Sequence, residues 1–325
     1  MPERGLPWTE PTWLREAEAW IGEHASVTGE LDQFHIRWWS TVIRVPTAEG
    51  DLYFKATGHA HRFEAALTAK LAACMPDRVP DVIAVDPERG WLLLRDGGRR
   101  LRELIEDAND LRYWEAALPR YGELQIELAG EADELLAIGL PDRRLAVLPD
   151  QLRALLREGP SGLTPAEPEL IETALPEVEA LCRKLADYGI RETVQHDDLN
   201  DGQVFVQDAR YLFFDWGDSC VSHPFHTLTV TLRAAAFKLD LEPGGPELKR
   251  LRAAYLEPFG DFTDAAEIAY RTGTIARALA WHRYVSAAGL HAEPEDQRAA
   301  AYGLKLFLEN GPIGTWREPE TSRTL

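Results

Sequence analysis

Apolar residues recur at three- and four-residue intervals from Pro11 to His24, where Trp13, Leu14, Ala17, Trp20 and Ile21 share one helical face. The period then shortens. Gln33 to Trp39, Thr41 to Val45 and Leu52 to Ala56 read as three strands, with a hairpin turn at Thr47-Ala48-Glu49-Gly50-Asp51 between the last two. Helical spacing returns at His61 to Cys74, with Phe63, Ala66, Leu67, Leu71 and Cys74 on one side. Asp81 to Val85 and Trp91 to Leu94 follow as short strands joined by Pro87-Glu88-Arg89-Gly90.

After Gly97-Gly98 the pattern is helical. Helices are predicted at Leu101 to Ile105, Trp114 to Leu128, Asp150 to Leu156 and Pro168 to Tyr188. Further helices are predicted at Thr229 to Lys238, Glu247 to Leu256, Asp264 to Ala288 and Glu295 to Leu308. Between the two sets, the runs Thr193 to Val206 and Tyr211 to Phe214 read as loop and hairpin. The layout predicts an α+β protein with a small β-rich part over residues 1–96 and a large helical part over 97–325.

Composition narrows the function. At 325 residues, 45% hydrophobic and 27% charged, the chain can bury a core without disulfides or structural metal. Cys74, Cys182 and Cys220 are widely spaced and odd in number, which fits buried thiols in a reducing cytoplasm. The first residues carry no basic segment followed by an apolar stretch, and no apolar run approaches the roughly 20 residues of a membrane span. A cytoplasmic protein without membrane contact is therefore expected. The net charge of −19 argues against nucleic acid as a partner and is compatible with a cationic one.

Three constellations carry chemistry. In His196-Asp197-Asp198-Leu199-Asn200-Asp201-Gly202-Gln203-Val204, a carboxylate at Asp198 precedes an amide at Gln203 by five positions, entering a strand. Phosphoryl transfer needs a carboxylate to take the proton of the attacking hydroxyl and an oxygen donor to hold the metal on the phosphates. Phe214-Asp215-Trp216-Gly217-Asp218 offers a second metal carboxylate, Asp215, leaving an apolar strand. Lys55 stands alone as a cation in the strand Leu52 to Ala56, and Glu64 follows on the next helix. Such a pair holds nucleotide phosphates through the lysine. Each piece has a plainer reading as turn residues, a hairpin exit or an edge-strand cation. Their joint order on the right elements favours chemistry.

These motifs resemble the aminoglycoside phosphotransferase and choline kinase-like family. The loop from His196 to Val204 is similar to its His-Gly-Asp-Leu-His-x-Gly-Asn-Val, and Phe214 to Asp218 to its Ile-Asp-Trp-Gly-Asp. The resemblance implies a two-lobed protein kinase-like fold that moves the γ-phosphate of ATP or GTP, with Mg²⁺, to a hydroxyl of a small molecule. It implies Asp198 as base, Gln203 and Asp215 as metal ligands, and Lys55, positioned by Glu64, on the phosphates. His196 would brace the loop. Leu94, Arg95 and Asp96 would form the hinge that meets the base of the nucleotide.

Three departures stand out. Gln203 replaces Asn, Asp197 replaces Gly beside the base, and no glycine-rich phosphate loop is present. Asp197 either raises the proton affinity of Asp198 or points to solvent. Ser40 and Thr41 occupy the phosphate-covering turn and are candidates for contacts there. On the acceptor side the candidates are Asp218, Trp281 and Tyr284, the aromatics offering cation–π contact to an amine. Two rivals stay open: a nucleotide-binding pseudokinase acting through protein contacts, and a protein kinase. His223 and His226 read as capping or packing residues.

Overall fold

The computed structural model describes residues 6–108 and 110–315. The chain forms two compact units. The first comprises Met1–Gly98 and Val206–Gly217, the second Arg99–Phe205 and Asp218–Leu325. The expected division between residues 96 and 97 treats the two parts as consecutive; in the structure a later segment, residues 206–217, also belongs to the first unit.

In the first unit, helix α1 (Pro11–His24) precedes strands β1 (Asp32–Ile36), β2 (Ser40–Thr47) and β3 (Gly50–Thr57). Helix α2 (Phe63–Cys74) and strands β4 (Val82–Asp86) and β5 (Trp91–Arg95) follow. The five strands form one sheet in the order β1-β2-β3-β5-β4, antiparallel throughout. Expectation and structure agree on every one of these elements and differ at their ends by a few residues. The β2–β3 turn is tighter than expected. Thr47 pairs with Gly50, and its hydroxyl accepts the Glu49 N–H, closing a two-residue turn.

The period-two alternation decides where the chemistry goes. Leu52, Phe54 and Ala56 of β3, with Trp91 and Leu93 of β5, pack in one cluster with Trp20 and Ile21 of α1. Trp20, Phe54 and Trp91 meet edge to face, with centroids 5.4–5.7 Å apart. On the opposite face, Leu92 and Leu94 pack with Ala65 of α2 and with Phe214 from the returning segment. Lys55 lies between Phe54 and Ala56 and so shares the second face, the one toward α2. The return is pinned where Phe213 N–H donates to Arg78 O at 2.8 Å. Gly98, with φ of 85°, lets this segment approach: a Cβ there would lie 2.7 Å from Val206 O.

The second unit is mainly helical. Expected helices appear at Leu101–Ala108, Arg112–Glu127, Leu148–Glu158, Glu167–Ala186, Thr227–Lys238, Pro246–Leu256, Thr263–Ala288 and Asp296–Glu309. The two-turn helix Ala132–Ile138 was not expected; it is short and ends at Gly139 with φ of 108°. A small sheet sets the loops. Cys220–Ser222 runs between Asp142–Arg143, parallel to it, and Thr193–Gln195, antiparallel to it, with Cys220 opposite Gln195. That register brings the residues after Gln195 beside those before Cys220. All three cysteines are free; Cys182 and Cys220 are buried as expected, whereas Cys74, the last residue of α2, is exposed. Among the described residues, no helix is long and apolar enough to cross a membrane.

Candidate active site

The chemistry is carried by two clusters, one in each unit. In the first unit, Lys55 Nζ donates to Glu64 Oε1 at 2.7 Å and also pairs with Asp215 Oδ1. Burial works against the ammonium, but the charges of Asp215 and Glu64 outweigh it and raise its pKa above the ordinary lysine value. Glu64 is buried in the first turn of α2, where a carboxylate also suits the helix dipole. Asp215 is more open, its side chain 46% exposed, and it has a left-handed φ of 59°. Gly217 packs on Glu64, with room for a Cβ only 3.1 Å from its Oε2.

The turn and hinge candidates of this unit are placed as follows. Ser40 and Thr41 are buried: Ser40 Oγ meets His35 Nε2 at 3.3 Å, and Thr41 donates to His35 O at 2.8 Å. Thr41 also accepts from the Gln33 amide at 2.8 Å. Both hydroxyls thus hold the start of β2. The Arg95 N–H donates to Asp81 O at 3.0 Å, and Leu94 is paired with both Tyr53 and Val82. Asp96 Oδ1 caps the Gly98 N–H at 2.8 Å.

In the second unit, the loop after Thr193–Gln195 is fastened at several points. The His196 N–H donates to Tyr121 Oη at 2.9 Å, and Thr231 donates to Leu199 O at 2.8 Å. Arg102 grips Asp201 Oδ1 through Nε at 3.1 Å and Nη2 at 2.9 Å. His196 is fully buried, and its Nδ1 faces the Asp198 N–H at 3.4 Å, so it braces the loop as expected. His223 Nδ1 caps the Phe225 N–H, and His226 bridges Ser222 and Thr272. Burial lowers the pKa of both histidines, that of His226 to about 3.

Asp198 is held from both sides. Its Oδ2 accepts from Asn200 Nδ2 at 3.1 Å and from Gln203 Nε2 at 3.4 Å, while its Oδ1 accepts from Arg277 Nη2 at 3.1 Å. Because the nitrogen of Gln203 faces Asp198, its amide oxygen is the atom directed elsewhere. Asp197, beside the base, turns inward. It is buried with a φ of 60°, and its Oδ2 lies 3.4 Å from Arg277 Nη1. Asp218 Oδ2 meets the same nitrogen at 3.0 Å.

Arg277 was not singled out from the sequence. It lies on the helix Thr263–Ala288, four residues before Trp281 and seven before Tyr284, and that shared face was the available signal. Burial opposes its charge, but Asp197, Asp218 and Asp198 together raise its pKa. Trp281 and Tyr284 already face cations of the chain. Arg277 lies 5.2 Å from the Trp281 ring centroid and Arg283 5.2 Å from that of Tyr284. Tyr284 is buried, and its hydroxyl donates to Asp218 O at 3.0 Å.

Among the described residues, no group of three His, Cys, Asp or Glu side chains is gathered to hold a metal alone. Each unit offers a hard oxygen donor of the kind Mg²⁺ takes, the Asp215 carboxylate in the first and the Gln203 amide oxygen in the second.

The model of the phosphotransferase enzyme family matches residues 32–268, across both units. Among solved structures, a choline kinase from Streptococcus pneumoniae superposes with a TM-score of 0.63 at 12% identity, covering 92% of this chain and 98% of that one. An ethanolamine kinase from Plasmodium vivax gives 0.60 at 13%, covering 86% and 84%. A macrolide 2′-phosphotransferase from Brachybacterium faecium gives 0.57 at 18%, covering 95% and 99%. These likenesses show the protein kinase-like α+β fold. No match was found among curated protein sequences.

Proposed function

The chain belongs to the phosphotransferase enzyme family, and from that premise we propose that it transfers the γ-phosphoryl group of a nucleoside triphosphate to a hydroxyl of a small molecule. The observation that carries this reading is Lys55. It reaches both Glu64 and Asp215, the latter 160 positions away in sequence. A buried lysine between two carboxylates is a phosphate-binding cation whose charge is secured.

The geometry of each cluster supports the following roles. Lys55 binds phosphate oxygens, and Glu64 fixes its ammonium. Asp198 accepts the proton of the acceptor hydroxyl as its oxygen bonds to the γ-phosphorus, and the bond to the β-phosphate oxygen breaks to release the nucleoside diphosphate. Asn200 and Gln203 orient the carboxylate of Asp198. Asp215 and the Gln203 amide oxygen would hold Mg²⁺, which when bound neutralises charge on the phosphates. The named relatives act on choline, ethanolamine and a macrolide. A hydroxyl group is the shared acceptor chemistry.

A second reading, nucleotide binding without transfer, is favoured by one observation: Arg277 already engages Asp198 Oδ1. One experiment separates the two. Transfer from labelled Mg-nucleotide is measured over a panel of hydroxyl metabolites, beside nucleotide binding by calorimetry. Asp198→Asn is expected to lower turnover by about 10²–10⁴-fold while nucleotide affinity stays within a few-fold. Undiminished turnover would remove Asp198 from its role, and absent nucleotide binding would remove the whole reading.

A further inference from the structure

Three carboxylates in the second unit converge on one guanidinium. Arg277 Nη1 meets Asp218 Oδ2 at 3.0 Å and Asp197 Oδ2 at 3.4 Å, and Nη2 meets Asp198 Oδ1 at 3.1 Å. Arg277 is only 8% exposed, and the Trp281 ring lies 5.2 Å away. Taken one by one, these are the parts of a site for an organic cation: anionic oxygens around a positive charge, with an aromatic ring beside it. The cation is supplied by the chain itself.

Other arginines stand near the cluster. Arg143 acts electrostatically on Asp197, and the charges of Asp197, Arg143, Arg283 and Arg277 all reach Cys220. Tyr284 offers no second platform, since it is buried, faces Arg283 and is bonded to Asp218 O. Asp197 shows that the arrangement is held against backbone preference. A φ of 60° suits glycine, the residue of the family loop at this place, yet an aspartate occupies it with its carboxylate on Arg277.

We propose that Arg277 is a specificity-determining residue: its guanidinium fills the place beside Asp198 that the ammonium of an aminated acceptor would take, so the acceptor hydroxyl belongs to a neutral or anionic compound. This rests on the phosphotransferase reading above. An ammonium approaching Asp198 meets a fixed like charge that is buried and cannot be screened, whereas a hydroxyl, carboxylate or phosphate ester does not. The reading also departs from the cationic acceptor that the acidic composition allowed.

The test uses the full-length chain and acceptors matched in shape but not in charge: choline against 3,3-dimethylbutan-1-ol, ethanolamine against ethylene glycol and glycolate, glucosamine against glucose. The wild type is expected to favour the unaminated member of each pair by about tenfold or more in kcat/KM. Arg277→Gln should narrow or invert that ratio, while Arg277→Lys should keep it. A turnover-free arm adds millimolar guanidinium or methylammonium chloride, with sodium chloride at equal ionic strength as the control. Melting temperature should rise with the organic cation in Arg277→Ala, or in Arg277→Gln where the alanine variant does not fold, and stay unchanged in the wild type. A wild type that prefers the aminated acceptors, or a variant that gains nothing from either organic cation, overturns the proposal. An amine preference with nucleotide binding intact overturns this inference alone. Loss of nucleotide binding in the wild type overturns the phosphotransferase reading beneath it.

Discussion

Asp197 sits at the meeting of opposed effects. Burial raises its pKa, Arg277 lowers it and Asp218 raises it again, for a net value of about 6 against an ordinary 3.8. Arg277 does not pull it lower because its charge is divided among three carboxylates. A folded-state pKa above the unfolded one means that the native state binds the extra proton. The associated stability is full below about pH 4 and is lost as pH rises through about 6. The amount is roughly 2–3 kcal/mol from a two-unit shift. Urea unfolding of the wild type and Asp197→Asn across pH 4–7 should show the wild type losing about that much relative to the variant as pH rises. Parallel curves would mean that the carboxylate is no more costly folded than unfolded. The residue itself was visible in the sequence as a departure from glycine. Its inward turn was not, because whether an aspartate at a loop faces solvent or a buried arginine depends on a helix 80 positions away.

Elements were the most legible scale. The alternation in β3 alone assigns Lys55 and Phe54 to opposite faces, and the three- and four-residue spacing marks the helix Thr263–Ala288 throughout. Periodicity does not say how closely two helices approach, and that distance places Arg277. Gly303, on Asp296–Glu309, packs against the turn that carries it: a Cβ there would lie 2.7 Å from Thr274 O, 3.0 Å from Ala278 Cβ and 3.2 Å from Ala278 N. Two of these atoms are backbone, so relief requires the helices to separate. Gly303→Ala gains about 1 kcal/mol of helix propensity and loses about 1–3 kcal/mol to overpacking. We expect net destabilisation and a displaced Arg277, seen as a lower melting temperature together with a smaller charge discrimination between matched acceptors. A variant as stable as the wild type would show that the close approach is not needed.

At the scale of the whole molecule, the sequence order conceals one feature of the architecture. Read along the chain, Gln203 and Asp215 stand close together in neighbouring motifs, yet the first lies in the second unit and the second in the first unit. Only three-dimensional contacts reveal this, such as the Phe213 N–H on Arg78 O and Phe214 against the cluster of Ala65, Leu92 and Leu94. The assignment of roles divides accordingly. In the proposed roles, Lys55, Glu64 and Asp215 of the first unit would serve the nucleotide, and Asp198 and Arg277 of the second would serve the acceptor. A ligand that binds only the folded state stabilises it by RT ln(1 + [L]/Kd), about 2.7 kcal/mol at a hundredfold excess over Kd. That stabilisation should be local where the ligand binds. Hydrogen exchange with and without saturating Mg-nucleotide is therefore expected to slow in residues 52–57, 63–67 and 213–217 and in the loop 196–203, with little change in residues 263–288. Protection confined to 263–288 would place the nucleotide on the wrong cluster. Chelation of the metal by EDTA should reduce the protection at 213–217, because Asp215 would lose its link to the phosphates.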